Sequence, residues 1–301
     1  MNTVILSLPG NEALTGSLST ALDAANTKAF EVGQVALRRF PDQETYVRID
    51  SRLDGKAAII VASLNRPDEK ILPLIFMAET AREMGASKVG LVAPYLSYMR
   101  QDRRFHPGEG VTSKYFARLL SNSFDWLVTV DPHLHRHSSL AELYAIRTQV
   151  VHAANPLAEW IRANVAQPLI VGPDSESEQW VSAVAEVVGA PHIVLEKIRS
   201  GDRDVVVSVP EVERWREHTP VLVDDIVSTA RTMIATVKQL TAANMRKPVC
   251  VAVHAIFADR AYEDLTAAGA GRIVSCNTIV HPSNAIDLTS ILASAVRLIL
   301  R

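Results

Sequence analysis

The chain is short of cysteine, of net charge and of long apolar runs, and each shortage removes a class of protein. Only Cys250 and Cys276 are present. They form no close pair and fit no metal-ligand spacing, so a reducing compartment is expected. The formal net charge is -2, which supplies no electrostatic reason to expect nucleic acid as a partner. No window approaches the run of about 20 apolar residues that a membrane helix needs. Met1-Asn2-Thr3 passes straight into Val4-Ile5-Leu6 with no basic lead-in, so neither a signal peptide nor a membrane is expected. A cytoplasmic location is.

What is there suits a globular enzyme. Apolar residues make up 48% and charged residues 21% of 301, enough for two cores of ordinary domain size, roughly 150 residues each. The expected division is 1–148 and 149–301. Apolar runs at 4–8, 31–37, 45–49, 57–62, 88–93 and 126–130 read as strands, and 12–26, 70–84 and 112–122 carry helical spacing. The second half repeats the plan. Strands are expected at 168–171, 192–196, 221–223, 249–254 and 272–276, with helices at 155–164, 178–188 and 287–300. Alternating strands and helices predict an α/β fold of two mostly parallel sheets flanked by helices, with functional loops at the strand C-termini. The spacing of 58–62, a helix and 88–93 is nearly that of 221–223, a helix and 248–253. The chain thus reads as a duplicated domain, with Ser63-Leu64-Asn65 standing where the second copy has Asp224-Asp225.

Everything else is arranged around 221–232, read as Val-Leu-Val-Asp-Asp-Ile-Val-Ser-Thr-Ala-Arg-Thr. An apolar strand, two acids at its expected end, a hydroxyl-rich turn of Ser228, Thr229 and Thr232, and a helix start follow one another. Free N–H groups and the positive end of a helix dipole suit a phosphate. The carboxylates can accept hydrogen bonds from neighbouring sugar hydroxyls. Without further context, the stretch could equally be a solvated acidic turn with Ser228 or Thr229 as an ordinary cap. It resembles the ribose-phosphate loop of the type I phosphoribosyltransferase fold, Asp-Asp-x-x-(Asp/Ser)-Thr-Gly-Gly-Thr. Here Ala230-Arg231 replaces the Gly-Gly pair. Alanine loses glycine's access to positive φ, so the turn is expected to close with ordinary dihedrals. Arg231 is expected to make a charge-assisted contact to the phosphate, the alternative being that its side chain crowds the site.

Three further segments resemble one family in order, the ribose-phosphate diphosphokinases (phosphoribosyl pyrophosphate synthetases). Phe40-Pro41-Asp42-Gln43-Glu44 resembles its Phe-Ser-Asp-Gly-Glu element. Pro94-Tyr95 through Arg100-Gln101-Asp102-Arg103 resembles Pro-Tyr-x-x-Tyr-x-Arg-Gln-Asp-Arg, and Val130-Asp131-Pro132-His133 resembles Val-Asp-Leu-His. The likeness covers about residues 4 to 298. It implies two duplicated phosphoribosyltransferase-like domains, nucleotide on the first and ribose 5-phosphate on the second. The implied reaction moves the diphosphoryl group of ATP to the C1 hydroxyl of ribose 5-phosphate with Mg²⁺ as cofactor. By the same resemblance Phe40 stacks on adenine, Asp42 and Glu44 accept its hydrogen bonds, and Arg100, Gln101 and Asp102 hold the nucleotide. His133 and Asp174 meet Mg²⁺. Lys197 and Arg199, on a polar loop at 197–204, neutralise the transferred group. Asp224, Asp225, Ser228, Thr229, Ala230, Arg231 and Thr232 take the sugar phosphate. A homo-oligomer of at least two chains, and up to six, is implied as well.

Other readings stay in view. His133, His135 and His137 would share one face of an extended strand, the start of a zinc hydrolase site, but no later His/Asp set completes it. The family's Pro-Asp-x-Gly-Gly is Pro173-Asp174-Ser175-Glu176-Ser177 here, and Glu176 and Glu178 would repel anions unless turned away. That departure and Ala230-Arg231 keep a catalytically silent regulatory homologue as the alternative. A phosphoribosyltransferase would need a base-binding hood and has no use for Arg100 and Lys197.

Overall fold

The computed structural model describes residues 2–23, 29–134, 136–173, 177–200, 204–208 and 212–301. They form two compact units, Met1–Val151 with Thr289–Arg301, and His152–Leu288.

In the first unit the order is β1 (Thr3–Ser7), α1 (Glu12–Leu22), β2 (Phe30–Val32), β3 (Val35–Arg39), β4 (Thr45–Ile49), β5 (Ala57–Val61), α2 (Pro67–Glu83), β6 (Lys88–Ala93), α3 (Thr112–Ser123), β7 (Trp126–Val130) and β8 (Arg147–Val151). The second unit runs α4 (Ala154–Asn164), β9 (Pro168–Gly172), α5 (Glu178–Val188), β10 (His192–Val194), β11 (Glu196–Ser200), β12 (Asp204–Ser208), β13 (Thr219–Val227), α6 (Arg231–Ala242), β14 (Val249–Ala255), α7 (Ala261–Ala267), β15 (Arg272–Cys276) and β16 (Asn284–Ile286). The last helix, α8 (Thr289–Leu300), returns to the first unit.

Each unit has one six-stranded parallel sheet, ordered β2-β1-β5-β6-β7-β8 and β10-β9-β13-β14-β15-β16, and one antiparallel ribbon, β3-β4 or β11-β12. The central strands β5, β7 and β14 are buried along their whole length. Helices cover both faces of a parallel sheet, so its strands are apolar throughout rather than alternating.

Three departures from expectation have physical causes. The run 31–37 was expected as one strand, but it divides between β2 and β3 at Gly33. A Cβ there would lie 2.5 Å from Leu6 Cδ2 and from Val4 Cγ1, so only glycine lets the chain leave the sheet at that point. Second, 197–204 was expected as a loop. Glu196–Ser200 instead pairs with Asp204–Ser208, Lys197 opposite Val207 and Arg199 opposite Val205. Third, the expected division assigned the final helix to 149–301. In α8 the residues Leu292, Val296 and Ile299 are buried, the helix packs on α1, β7 and β8, and Arg297 donates to the carbonyl of Ala21. Its apolar stripe is matched by the first unit, whatever its place in the chain. No helix among the described residues is long and apolar enough to cross a membrane.

Candidate active site

In the second unit β9 leads outward to β10 while β13 leads the other way to β14. The reversal between β9 and β13 is where an open α/β sheet leaves a crevice at its carboxyl edge. β13 pairs with β9 only as far as Leu222 opposite Val171, and then runs on beside β14 to Val227 opposite Ala255. Asp224 and Asp225 therefore lie past the last β9 rung, half-buried. They were expected at the end of the strand. They are inside it, because β14 continues the ladder. Successive strand residues point to opposite faces. The Asp225 N–H donates to Asp224 Oδ1 (3.0 Å) and the Ile226 N–H to Asp225 Oδ1 (2.7 Å).

The turn into α6 also differs from expectation. Ala230 has φ 55° and ψ 7°, left-handed geometry that was not anticipated for alanine. The cost is about 1–2 kcal/mol for an L-residue with a Cβ. The backbone thus keeps the conformation that glycine would supply, and Ala230 is buried. Ser228 and Val227 are fixed from outside the loop, their carbonyls accepting from the N–H groups of Ala258 and Phe257, each at 3.0 Å. Among the described residues, the backbone N–H groups of Ser228, Thr229, Ala230, Arg231 and Thr232 donate no hydrogen bond. The first N–H groups of any helix lack intrahelical partners, and here two residues of the turn extend that row. Thr229 and Arg231 are exposed, while Ser228 and Thr232 are half-buried.

The first unit carries the same path with the opposite outcome. Ala57 pairs with the first residue of β6, and Val221 with the first residue of β14. Counted in step from there, both chains arrive at a left-handed residue just before a helix, Arg66 (φ 51°) and Ala230 (φ 55°). The same count sets Asp224-Asp225 against Ile60-Val61, both fully buried, and not against Ser63-Leu64-Asn65 as expected. The loop itself is filled. Buried Asn11 accepts from the Ser63 N–H at 2.9 Å and donates to the Leu8 carbonyl at 3.1 Å. The Leu64 N–H donates to the Tyr95 carbonyl at 2.9 Å. The Lys70 ammonium donates to the Ser63 carbonyl (2.7 Å) and to Asn65 Oδ1 (2.6 Å). Burial lowers the pKa of Lys70, with the Glu69 charge opposing.

The expected nucleotide residues lie on the first unit. Phe40 is at the tip of the β3–β4 ribbon, exposed, edge-on to Tyr46 at 5.7 Å. The Arg38 guanidinium stacks over both rings, 4.7 and 4.2 Å from their centroids. Asp42 and Glu44 are exposed in the same turn, which closes through Phe40 N–H to Glu44 carbonyl at 2.8 Å. Of the three residues expected to hold nucleotide after β6, only Arg100 is exposed. Gln101 Oε1 accepts from the hydroxyl of Thr112 at the start of α3 (3.1 Å). Asp102 is buried and takes both its bonds, 2.9 Å each, from Nη1 of Arg136. So Gln101 and Asp102 anchor the turn. Arg136 was missed because a lone arginine within His-Arg-His carries no spacing signal, and its partner lies 34 residues upstream.

His133 is half-buried just past β7 at φ 55°, its N–H donating to the Asp131 carbonyl (2.9 Å). The zinc-hydrolase reading required an extended strand here. β7 ends at Val130, and His137 is held by Glu142 through Nδ1 (2.8 Å). Hydrogen bonds from Ser138 and His137 bring the Glu142 carboxyl down to about 2. His135 and Asp174 lie outside the described residues. Lys197 and Arg199 sit two positions apart on β11.

The model for the N-terminal domain of ribose phosphate pyrophosphokinase matches residues 3–123, and the phosphoribosyl transferase domain model matches residues 140–288. The ribose-phosphate pyrophosphokinase of Methanopyrus kandleri is 31% identical over 296 residues, 97% of this chain and 98% of that one. The one from Halobacterium salinarum is 32% identical over 289 residues, 94% and 99% of the two chains. The crystal structure of phosphoribosylpyrophosphate synthetase from Mycobacterium smegmatis superposes with a TM-score of 0.85 at 21% identity, covering 100% of this chain and 99% of that one, and so shares its fold. Two domain models matched in order and relatives aligned almost end to end leave one assignment: the chain belongs to the ribose-phosphate pyrophosphokinase family of transferases.

Proposed function

We propose that the protein transfers the diphosphoryl group of ATP to ribose 5-phosphate, giving phosphoribosyl pyrophosphate and AMP. The observation that carries the reading is the second unit's crevice. It pairs two half-buried carboxylates with a row of backbone donors, whereas the first unit's matching loop is filled from within.

In this reading the N–H groups of 228–232 and the start of α6 take the 5-phosphate, helped by Ser228, Thr229, Thr232 and Arg231. Asp224 and Asp225 accept from ribose hydroxyls and orient the sugar. The C1 oxygen attacks the β phosphorus of ATP, the bond from that phosphorus to the α-phosphate oxygen breaks, and AMP leaves. Such a reaction depends mainly on positioning and on neutralising charge that spreads over the transferred oxygens. Lys197 and Arg199 on β11 supply two cations for that. Phe40 stacks on adenine, Asp42 and Glu44 accept from its amine, and Arg100 meets the phosphates. Gln101 and Asp102 keep Arg100 in place through Thr112 and Arg136.

Magnesium commonly takes only one or two protein ligands, with water and substrate phosphates completing its shell. Half-buried His133 beside the buried Asp131 fits as one such contact point, and the resemblance to the family adds Asp174 as a second candidate. Mg²⁺ bound there would screen the triphosphate charge. The protein works in the cytoplasm as a homo-oligomer of at least two chains.

Mixing the protein with ATP, Mg²⁺ and ribose 5-phosphate tests the proposal. AMP and phosphoribosyl pyrophosphate should form in equal amounts. Sugar-phosphate binding without AMP would replace it with the silent-homologue reading.

A further inference from the structure

Phe257, beside the loop 228–232, has a strained backbone. Its φ of 40° is left-handed, as is the 54° of Asp259 two residues on. A bulky residue rarely holds that geometry, and where it does the surroundings must enforce it. The strain has a use at this place. β14 ends at Ala255. The chain then bends so that the N–H groups of Phe257 and Ala258 donate to the carbonyls of Val227 and Ser228, each at 3.0 Å. These two bonds hold the loop through its carbonyls, while its own N–H groups donate no bond among the described residues.

Phe257 is gripped by its ring. His281, from the turn after β15, lies against it at a tilt of 34° with centroids 4.7 Å apart. Tyr262 of α7 meets both rings steeply, at 5.3 and 4.9 Å. Aromatic groups at this spacing attract beyond the area they bury. The imidazole is itself oriented by a chain of hydrogen bonds. Asn284 Nδ2 donates to Ser275 Oγ at 2.9 Å, the Ser275 and Ser283 hydroxyls meet at 2.7 Å, and Ser283 Oγ lies 2.8 Å from His281 Nδ1. The Ser283 N–H donates to the same Nδ1 at 3.2 Å. That nitrogen is therefore the acceptor, and the ring proton sits on Nε2. The His281 N–H donates to Asn284 Oδ1 (3.0 Å), which fixes the way the amide points. Ser275 and Ser283 are buried, and a network satisfied at every member rigidifies what it holds. Burial lowers the pKa of His281, with the Glu263 charge opposing. The neutral ring is the form this network needs.

We propose that His281 is a positioning residue for ribose 5-phosphate: its ring locks Phe257 into the strained turn that backs the loop 228–232. The inference rests on the reading of that loop as the phosphate site. Two substitutions separate the ring from the hydrogen bonds. His281→Asn keeps an acceptor for Ser283 and removes the ring. It should melt like the wild type and bind ribose 5-phosphate about 3- to 10-fold more weakly, the size of one aromatic contact. Its kcat and its KM for ATP should stay as they were. His281→Phe keeps the ring and leaves the buried Ser283 N–H without its acceptor. It should melt at a lower temperature and bind ribose 5-phosphate like the wild type. Thermal melting and calorimetric titration read both effects without turnover. Wild-type affinity in His281→Asn, or affinity that follows the melting temperature through both variants, would overturn the proposal. A wild type that binds no ribose 5-phosphate would overturn it together with the phosphate-site reading. Binding that weakens in His281→Asn, in a protein that forms no AMP, would support the positioning role and remove only the activity.

Discussion

In the first unit β5 runs through Ser63 to Asn65 and reaches a helix at left-handed Arg66; in the second, β13 runs through Ser228 and Thr229 and reaches a helix at left-handed Ala230. The backbone path is shared, down to the residue with positive φ. What differs is who satisfies the loop. Asn11, Tyr95 and Lys70 satisfy it in the first unit, whereas donors of 228–232 have no bond among the described residues in the second. Where the second unit has Asp224 and Asp225, the first has Ile60 and Val61 in its core. A duplicated fold can thus keep one crevice as a ligand site and turn the other into structure by changing a handful of side chains. The helices follow the same logic. α8 packs on α1 as α4 packs on α5, so the last helix of the chain completes the first copy.

The largest effect should come from the second unit's cations. Lys197→Ala should lower kcat by roughly 100-fold or more and move KM for either substrate much less, because its charge is needed mainly as the diphosphoryl group transfers. Steady-state kinetics checks this, and an unchanged kcat contradicts it. Next comes the filled loop. Asn11→Ala leaves the buried Ser63 N–H without its partner, at a cost of about 2 kcal/mol. Thermal melting should show the loss, while KM for ribose 5-phosphate stays as it was. Arg231→Gly should weaken ribose 5-phosphate binding about tenfold, the value of one exposed charge-assisted contact. Tighter binding by that variant would mean that the side chain blocks the pocket. Ala230→Gly should have the smallest effect. It relieves about 1–2 kcal/mol of left-handed strain but adds about 0.5–1 kcal/mol of unfolded-chain entropy. The net is a gain of about 0 to 1.5 kcal/mol, with binding nearly unchanged, measured by denaturant titration and calorimetry.

Much of this was legible in the chain itself. Continuous apolar runs mark β5, β6, β7 and β14 as doubly covered strands, and the hydroxyl-rich turn after two acids marks the crevice. What was hidden depends on contacts distant in sequence. β11 has three charged residues in five, Glu196, Lys197 and Arg199, and reads as a loop until its partner strand is known. The break at Gly33 depends on Val4 and Leu6 pressing from another strand. The extension of β13 past its acids depends on β14, and the left-handed state of Ala230 is invisible in a residue that usually avoids it. The pairing of Asp102 with Arg136 was hidden as well, because Arg136 lies beyond β7.

The most direct test of the difference between the two loops is calorimetric titration of ribose 5-phosphate into the wild type and into the Asp224→Asn/Asp225→Asn variant. Hydrogen bonds to charged groups contribute about 1.5–3 kcal/mol each, so loss of both carboxylates should weaken binding by roughly 100-fold or more. The account predicts one site per chain in the wild type and no measurable site in the double variant. Two sites per chain, or binding that survives the loss of both carboxylates, would contradict it.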